Sequence, residues 1–332
     1  MDRPTLPLGR RTALAIAAAA INIATTPAPA VAQDALPARE LRLLVGFPPG
    51  SNTDLLARVL AEALQPRLRR TVRVDNRPGA GGGVATEAVM QAAPDGGTLG
   101  FASPSLAIAG HVARTPFYDP RSDLTWISIF AATPVVLLAA PDHPARDLRS
   151  LGEALRARPG ATRCGTPGAG TFLHLATVLL TRALGAGCEA VHYLDLDRAM
   201  ADLQAGRLQL YANLLPAGLP LIREGRARAL AVASGERHPL VPEVPTVAET
   251  VPGLELVGWF SLVGPRGLPE PLVARLERAA TEAARDPAVA ARLRALGAEP
   301  VGAGGAELVA TLRATDATWG EAARAAGPAA SN

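Results

Sequence analysis

The sequence predicts an α/β fold with parallel strands, and two observations support this prediction. The first is a strand–turn–helix unit at 41–64. Its apolar run Leu43–Val45 is typical of a parallel strand covered on both faces, and Pro48-Pro49-Gly50 ends it. After this turn, apolar residues recur at helical spacing up to Leu64, so one face of a helix can pack on the sheet. The second observation is that strand-like and helix-like segments alternate along the rest of the chain.

The boundaries of the elements follow from capping and turn residues. In the first unit, Ser51, Asn52 or Thr53 can serve as the helix N-cap, and Asp54 would lie in the first turn. Later elements are separated by Gly and Pro. We expect further strands at 71–74, 98–102, 135–140, 162–165, 190–193, 209–212, 229–233 and 254–263. We expect further helices after 79–83 up to 93, from 103–105 onward, and at 148–157, 172–184, 198–205, 216–224, 271–285 and 288–296.

The number of strands suggests two sheets rather than one. Two long strands, at 133–140 and 254–264, are candidate crossings between them. We therefore expect one lobe formed by 33–136 together with 258–332, and a second lobe at 137–257 inserted into the first.

Composition narrows the possible functions. The chain has 332 residues, of which 48% are hydrophobic, enough for a large buried core. All 33 basic residues are arginine, which excludes lysine nucleophiles and a P-loop lysine. The arginines are scattered and aromatic residues are few, so we expect no nucleic-acid surface.

The first 32 residues are typical of an export signal. Arg10-Arg11 precede an apolar run at 13–23, and Ala30-Val31-Ala32 offers a cleavage site for a signal peptidase. Either a secretory or a twin-arginine route fits this segment. The mature protein is then expected in the periplasm or outside the cell. Cys164 and Cys188 would lie in an oxidising compartment, as a disulfide or as two buried thiols.

Familiar catalytic and metal-binding motifs do not occur. The five histidines are widely separated and show no HxxxH or CxxC pattern, so we expect no metal site. There is no GxSxG elbow, and Val84 stands where the last glycine of a GxGxxG motif would fall. We therefore expect neither a cofactor nor a catalytic centre.

Three strand-to-helix loops share a composition suited to anion binding. They are rich in Gly, Pro and small hydroxyl residues, and they span 47–54, 103–105 and 166–171. Such loops offer backbone N–H groups and hydroxyls at the carboxyl ends of parallel strands, where ligands usually bind. The alternative is that Gly and Pro only form the turns.

An ordered series of motifs resembles one known family. The series runs from VGFPPG at 45–50 through DNRPGAGG at 75–82, APDG at 93–96 and GTPGAGT at 165–171 to PEVPTVAE at 242–249 and GAEPV at 297–301. It is similar to the Bug-type receptors, the periplasmic solute-binding proteins of tripartite tricarboxylate transporters. The resemblance covers nearly the whole chain after the signal.

This resemblance implies a two-lobed periplasmic-binding-protein type II fold with two inter-lobe strands. It implies a monomeric, non-enzymatic receptor that captures a small organic acid or an amino-acid-like compound and delivers it to membrane permease subunits. It implies that loop 166–171 and its helix N-terminus face a ligand carboxylate, and that His174 is a hydrogen-bonding residue beside that loop. The candidate ligand-binding residues are Phe47, Pro49, Gly50, Ser51, Asn52, Asp54, Ser103, Ser105, Thr166, Gly168, Ala169, Gly170, Thr171, His174, Tyr193 and Asn213.

Two departures from the family pattern bear on the ligand. Ser51 replaces the second glycine of the usual Pro-Gly-Gly loop. The family commonly has Pro-Tyr-Lys/Arg-Gly after the strand at Val191, where this chain has His192-Tyr193-Leu194-Asp195. If Asp195 and Asp197 face the cleft, they would disfavour a doubly negative ligand and favour a monocarboxylate, an amide or an amino-acid-like compound. The alternative is that both aspartates face solvent.

Two other functions stay open at this point. The chain could present its ligand to a sensor kinase instead of a permease. It could also be a secreted hydrolase that uses Ser103 or Ser105 as the nucleophile and His174 as the base.

Overall fold

The computed structural model describes residues 40–112, 119, 122–158 and 160–327. The expected export signal at 1–32 lies outside these residues. None of the helices described combines the length and the apolar character that a bilayer crossing requires.

Strands and helices alternate through most of the chain, as expected. The strands are β1 (Leu41–Val45), β2 (Val72–Asn76), β3 (Thr98–Ala102), β4 (Leu124–Ala139), β5 (Arg163–Thr166), β6 (Glu189–His192), β7 (Leu210–Leu214), β8 (Arg228–Val232), β9 (Val257–Pro265) and β10 (Glu299–Gly304). The helices are α1 (Asn52–Leu68), α2 (Gly83–Met90), α3 (Pro104–Val112), α4 (Leu148–Ala157), α5 (Phe172–Ala183), α6 (Leu196–Gln204), α7 (Leu215–Arg223), α8 (Glu270–Arg285), α9 (Pro287–Ala295) and α10 (Gly305–Ala326).

The strands form two sheets that share β4, which confirms the two-lobed α/β fold. In lobe 1, β1 lies parallel between β2 and β3, while β9 joins β3 to the first part of β4 in antiparallel pairing. In lobe 2, the last part of β4 pairs antiparallel with β7 and β8, and β5 lies parallel between β6 and β7. Lobe 1 also contains β10 and the helices α1–α3 and α8–α10, whereas lobe 2 contains α4–α7. The residue boundaries given above for the lobes stay predictions.

Several predicted element boundaries were wrong, and one strand and one helix were not predicted. β4 begins at Leu124, about ten residues before the expected crossing strand, and β9 begins at Val257 rather than at 254. Pro134 lies opposite Val257 where β4 passes from one sheet to the other. β10 and α10 were not predicted, and α2 ends at Met90 rather than at 93. The helical spacing of buried residues in α10 was present in the sequence, at Leu308, Leu312, Trp319, Ala322 and Ala323.

The topology brings the carboxyl ends of strands from both lobes to one cleft. β4 runs from lobe 1 into lobe 2, and β5, β6 and β7 run back toward lobe 1. The loops that follow β1 and β3 therefore meet those that follow β5 and β7. This is the edge of the sheets where the sequence had placed its three ligand-binding loops.

Cys164 and Cys188 form a disulfide, with their Cα atoms 6.0 Å apart. Cys164 is a fully buried residue of β5, and Cys188 immediately precedes β6. The bond encloses 166–171 in a loop with a sequence separation of 24 residues. It thus anchors the strand that leads into this loop to its neighbour.

We expect the double variant Cys164→Ala/Cys188→Ala to lose about 3 kcal/mol of its free energy of unfolding, because the unfolded chain gains the entropy of an open loop. Urea denaturation with and without a reducing agent measures this loss. The reducing agent should destabilise the wild-type protein by a similar amount and leave the double variant unchanged. Equal stability of the wild-type protein in both conditions would contradict the expectation.

Candidate functional site

The first loop of the site, 47–54, is fixed at both ends. Ser51 is the N-cap of α1, and its Oγ accepts the Asp54 N–H at 3.3 Å. Gly50 has a φ of +79°, a conformation that residues with a Cβ rarely adopt. Phe47 accepts a hydrogen bond at its carbonyl from the Asn76 amide at 3.0 Å. Of the three N-cap candidates, Ser51 is therefore the one that caps the helix.

Asp54 holds this loop in place from below. Its carboxylate is only 2% exposed and accepts hydrogen bonds from the Gly50 N–H (2.9 Å), Asn76 Nδ2 (2.9 Å) and the guanidinium of Arg58 (2.9 and 3.0 Å). Burial alone would raise the pKa of Asp54, but these donors outweigh it and lower the pKa below its ordinary value. Because both carboxylate oxygens are engaged, Asp54 positions the loop rather than offering a charge to a ligand.

The loop at 166–171 is built around Thr171 and His174. Thr171 caps α5, since its Oγ1 accepts the His174 N–H at 3.4 Å and donates to the Gly168 carbonyl at 2.8 Å. Gly170, with a φ of +68°, donates its N–H to His174 Nδ1 at 3.0 Å. His174 is therefore the hydrogen-bonding residue beside the loop that the resemblance implied.

His174 can accept this bond only while Nδ1 is unprotonated. Burial, and to a smaller extent the neighbouring His192, lower its pKa to about 4. The two ring centroids are 4.9 Å apart. Burial also lowers the pKa of His192, whose Nδ1 lies 2.8 Å from Thr166 Oγ1. The loop is thus hydrogen-bonded to two imidazoles that are neutral at neutral pH.

The two lobes are in direct contact at the cleft. Ser105 Oγ, at the start of α3, accepts the Phe172 N–H of α5 at 3.0 Å. Asn52 in α1 donates its Nδ2 to Asn213 Oδ1 at 2.8 Å, and its Oδ1 accepts the Ala217 N–H of α7 at 2.9 Å. The candidate residues from β1, β3, β5 and β7 are therefore brought together, as expected.

Three residues at this contact were not predicted from the sequence to belong to the site. A Cβ built on Gly81 would lie 3.6 Å from Thr171 Cγ2, so the glycine-rich turn before α2 faces lobe 2. Trp319 of α10 packs edge-on against Phe172, with ring centroids 5.1 Å apart. Ala217 contributes only its backbone N–H, for which a sequence offers no signal.

Phe47 and Ser103 line a cavity of about 20 Å³ behind the loops of lobe 1. The other walls come from glycines and apolar side chains such as Gly82 and Leu106. A volume of this size accommodates about one water molecule. Phe47 therefore lies in the wall of this small lobe 1 cavity, and its contact with a ligand stays a prediction.

Tyr193 points away from the other candidate residues. Its phenol donates to Asp202 Oδ2 at 2.8 Å, and burial together with that carboxylate raises its pKa. Only its backbone N–H reaches the loop, donating to the Thr166 carbonyl at 2.8 Å. Its side chain thus supports α6.

Asp195 and Asp197 are engaged on the surface of lobe 2. Asp195 is exposed and caps α6, with its carboxylate accepting the N–H groups of Asp197 and Arg198. The Asp197 side chain is 86% exposed and pairs with Arg226 at 3.2 Å. These contacts favour the alternative in which both aspartates face solvent.

The geometry does not support the hydrolase alternative. His174 Nδ1 accepts the Gly170 N–H, so this nitrogen is not free to take a proton from a serine hydroxyl. Among the hydrogen bonds of the described residues, none joins Ser103 or Ser105 to His174.

Two lobes that share a long strand and meet through the loops at their strand ends are typical of solute-binding proteins. A model of the tripartite tricarboxylate transporter family receptor, TctC, matches residues 56–327. The chain belongs to this family, which confirms the resemblance found in the sequence.

Solved structures agree with this assignment. The chain is similar to R. palustris Rpa4515 with adipate (33% identity, TM-score 0.83, covering 88% of this chain and 99% of that one). It is similar to the periplasmic binding protein BugD (30% identity, TM-score 0.81, covering 88% and 98%). It is also similar to MatC from Rhodopseudomonas palustris with bound malate (29% identity, TM-score 0.80, covering 87% and 100%). The matching family is one of transporter receptors, and BugD is a periplasmic binding protein, so the prediction that the chain is not an enzyme is confirmed.

We expect Asp54→Asn to lower the free energy of unfolding by about 2 kcal/mol, because it leaves buried donors of the first loop without a charged acceptor. Glu62→Gln is the matched control in the same helix: Glu62 pairs with Arg292, but both side chains are about half exposed. Glu62→Gln should lower the free energy of unfolding by less than about 1 kcal/mol. Urea denaturation compares the two, and equal losses would contradict the role given to Asp54.

We expect stability to fall as the pH drops from about 6.5 toward 4. In this window the unfolded chain binds a proton at His174, whereas the folded chain does not, so protonation favours unfolding by up to about 3 kcal/mol. His174→Asn keeps an acceptor near the Gly170 N–H but cannot titrate. Its unfolding free energy should therefore depend less on pH, and an unchanged pH dependence would rule out this contribution.

Proposed function

We propose that the chain captures a small organic carboxylate by closure of its two lobes and delivers it to the membrane subunits of a tripartite tricarboxylate transporter. The observation that carries this proposal is the contact between the lobes through Asn52, Asn213, Ser105 and Phe172, located at the strand ends where ligands usually bind. Membership of the transporter receptor family supports the delivery step.

The chemistry of the cleft suits an anion bound without an ion pair. α5 directs its N-terminus, with its partial positive charge, toward lobe 1. Loop 166–171 adds the backbone of Gly168 and Ala169. In the α1 loop, the N–H groups of Gly50 and Ser51 are already bonded to Asp54 and to the Pro48 carbonyl. The charged pair of Asp54 and Arg58 is internally neutralised. We therefore infer that fixed N–H dipoles rather than an arginine hold the carboxylate.

Closure would act as a population shift. A ligand that contacts both lobes interacts fully only when they are closed, so its binding free energy favours that state. β4 connects the lobes at the crossing near Pro134, where pairing passes from one sheet to the other. This crossing is the natural position for the hinge.

We propose that the ligand is a carboxylate, without restricting it to monocarboxylates. The sequence favoured a monocarboxylate on the assumption that Asp195 and Asp197 face the cleft, and their surface contacts remove that basis. Adipate and malate, found with the two similar R. palustris proteins, are dicarboxylates. We also propose that the segment 1–32 is removed on export and that the mature protein acts in the periplasm.

A thermal-shift screen of residues 33–332 tests the proposal. We expect at least one compound among adipate, malate, citrate, benzoate, acetate and the proteinogenic amino acids to raise the melting temperature, because binding to the native state stabilises it by mass action. No rise with any of these compounds would contradict capture of a small carboxylate.

Thr171→Val provides the site-specific arm of this screen, because it removes the hydroxyl that caps α5 and orders the loop. Thr246→Val is the matched control, since Thr246 is also a buried N-cap, of the short helical turn at 247–249. Both should lose about 1 kcal/mol of stability. Only Thr171→Val should also lose the ligand-induced shift.

A further inference from the structure

The side-chain amides of Asn52 and Asn213 are locked in orientation by backbone donors. The Ala217 N–H donates to Asn52 Oδ1 at 2.9 Å, so the Nδ2 of Asn52 must face Asn213. The Leu214 N–H donates to Asn213 Oδ1 at 2.9 Å, and Asn52 Nδ2 donates to the same oxygen at 2.8 Å. A backbone N–H cannot accept a hydrogen bond, and therefore neither amide can flip without losing a contact. We call Asn52, Asn213 and the Ala217 N–H the amide bridge.

The bridge leaves one strong donor unused inside the inter-lobe contact. Asn213 is only 3% exposed, and its Nδ2 is buried without a hydrogen-bond partner among the described residues. A planar amide directs its nitrogen away from its oxygen, so Nδ2 points away from Asn52. A buried donor without a partner costs about 1–3 kcal/mol, a cost that an acceptor placed at this position would remove.

We propose that Asn52 is a positioning residue that closes the lobes through the amide bridge and presents Asn213 Nδ2 as a donor to an oxygen of the ligand. This inference rests on the proposed function, because it assigns one contact within the same cleft. It selects a carboxylate or carbonyl oxygen at this position and disfavours an ammonium group, which can only donate.

The bridge also couples binding to closure. Asn52 belongs to lobe 1, whereas Asn213, Leu214 and Ala217 belong to lobe 2. The Leu214 N–H therefore orients the donor within lobe 2, and the bond from Asn52 Nδ2 to the same Oδ1 forms only when the lobes are together. An acceptor on Nδ2 polarises the amide and strengthens Oδ1 as the acceptor for Asn52. A ligand oxygen bound in lobe 2 therefore stabilises a bond between the lobes, although Asn52 itself does not touch the ligand.

The first test measures closure without any ligand, by small-angle X-ray scattering of the mature chain. We expect Asn52→Ala to shift the radius of gyration to a larger value, because the bridge is lost. Gln209→Ala is the matched control: Gln209 also bonds two backbone groups, the Arg163 N–H and the Gly206 carbonyl, but both lie within lobe 2. It should scatter like the wild-type protein. Equal scattering of all three proteins would overturn the proposal.

The second test separates closure from recognition by Asn213→Asp. The aspartate keeps an oxygen for Asn52 and Leu214 but replaces the free donor with an acceptor. We expect the lobes to remain closed and the affinity for adipate, malate or benzoate, measured by calorimetry, to fall by roughly 10- to 100-fold. Asn52→Ala should weaken the same binding and also open the lobes. Unchanged affinity of Asn213→Asp for an acid that binds the wild-type protein would overturn the proposal.

Failure of the proposed function and failure of the amide bridge give different results. If none of the three acids binds the wild-type protein but Asn52→Ala still opens the lobes, then the closing role of the bridge holds and the proposed ligand class fails. If an acid binds the wild-type protein and both Asn variants bind it equally well, the receptor function holds and the amide bridge has no part in it.

Discussion

The central constraint on this molecule is that one strand, β4, belongs to both sheets. Its 16 residues pair with β9 and β10 in lobe 1 and with β7 and β8 in lobe 2. Because β7 runs antiparallel to β4, and β5 and β6 follow the direction of β7, the carboxyl ends of these three strands point back at lobe 1. The position of the cleft is therefore a consequence of strand direction, and the loops only determine its chemistry.

Those loops can carry function because each is stabilised from behind by a buried polar group. Asp54 gathers four donors beneath the first loop, and His174 accepts the Gly170 N–H beneath the second. Both groups accept hydrogen bonds here. Asp54 does so as a charged carboxylate, which can only accept, and His174 does so as a neutral imidazole, whose unprotonated nitrogen can accept a backbone N–H. In both cases burial fixes the backbone so that its N–H groups keep one orientation.

The sequence contained most of the fold and the loops of the site, but it did not contain the contacts between them. Gly, Pro and small hydroxyl residues at 47–54 and 166–171 signal local turns and helix caps, which depend on neighbours in the chain. The Asn52–Asn213 bond joins residues 161 positions apart, and the Ala217 N–H has no sequence signature at all. α10 was missed although its buried residues keep helical spacing. Asp195 and Asp197 could not be placed from sequence, because capping and the ion pair with Arg226 depend on how α6 sits in lobe 2.

A cleft that relies on amides and helix ends has a physical advantage for a receptor that must also release its ligand. An arginine enclosed at closure would have to be desolvated together with the carboxylate, and the buried pair gains much of its strength from that same exclusion of water. Amide dipoles lose less solvation when the lobes close and carry no net charge when the lobes open again. Selectivity must then come from orientation: the same Asn213 side chain attracts an oxygen through Nδ2 or a donor through Oδ1, depending on which way it is turned. In this protein the Leu214 N–H fixes that choice directly, and the Ala217 N–H supports it through Asn52, a residue of the opposite lobe.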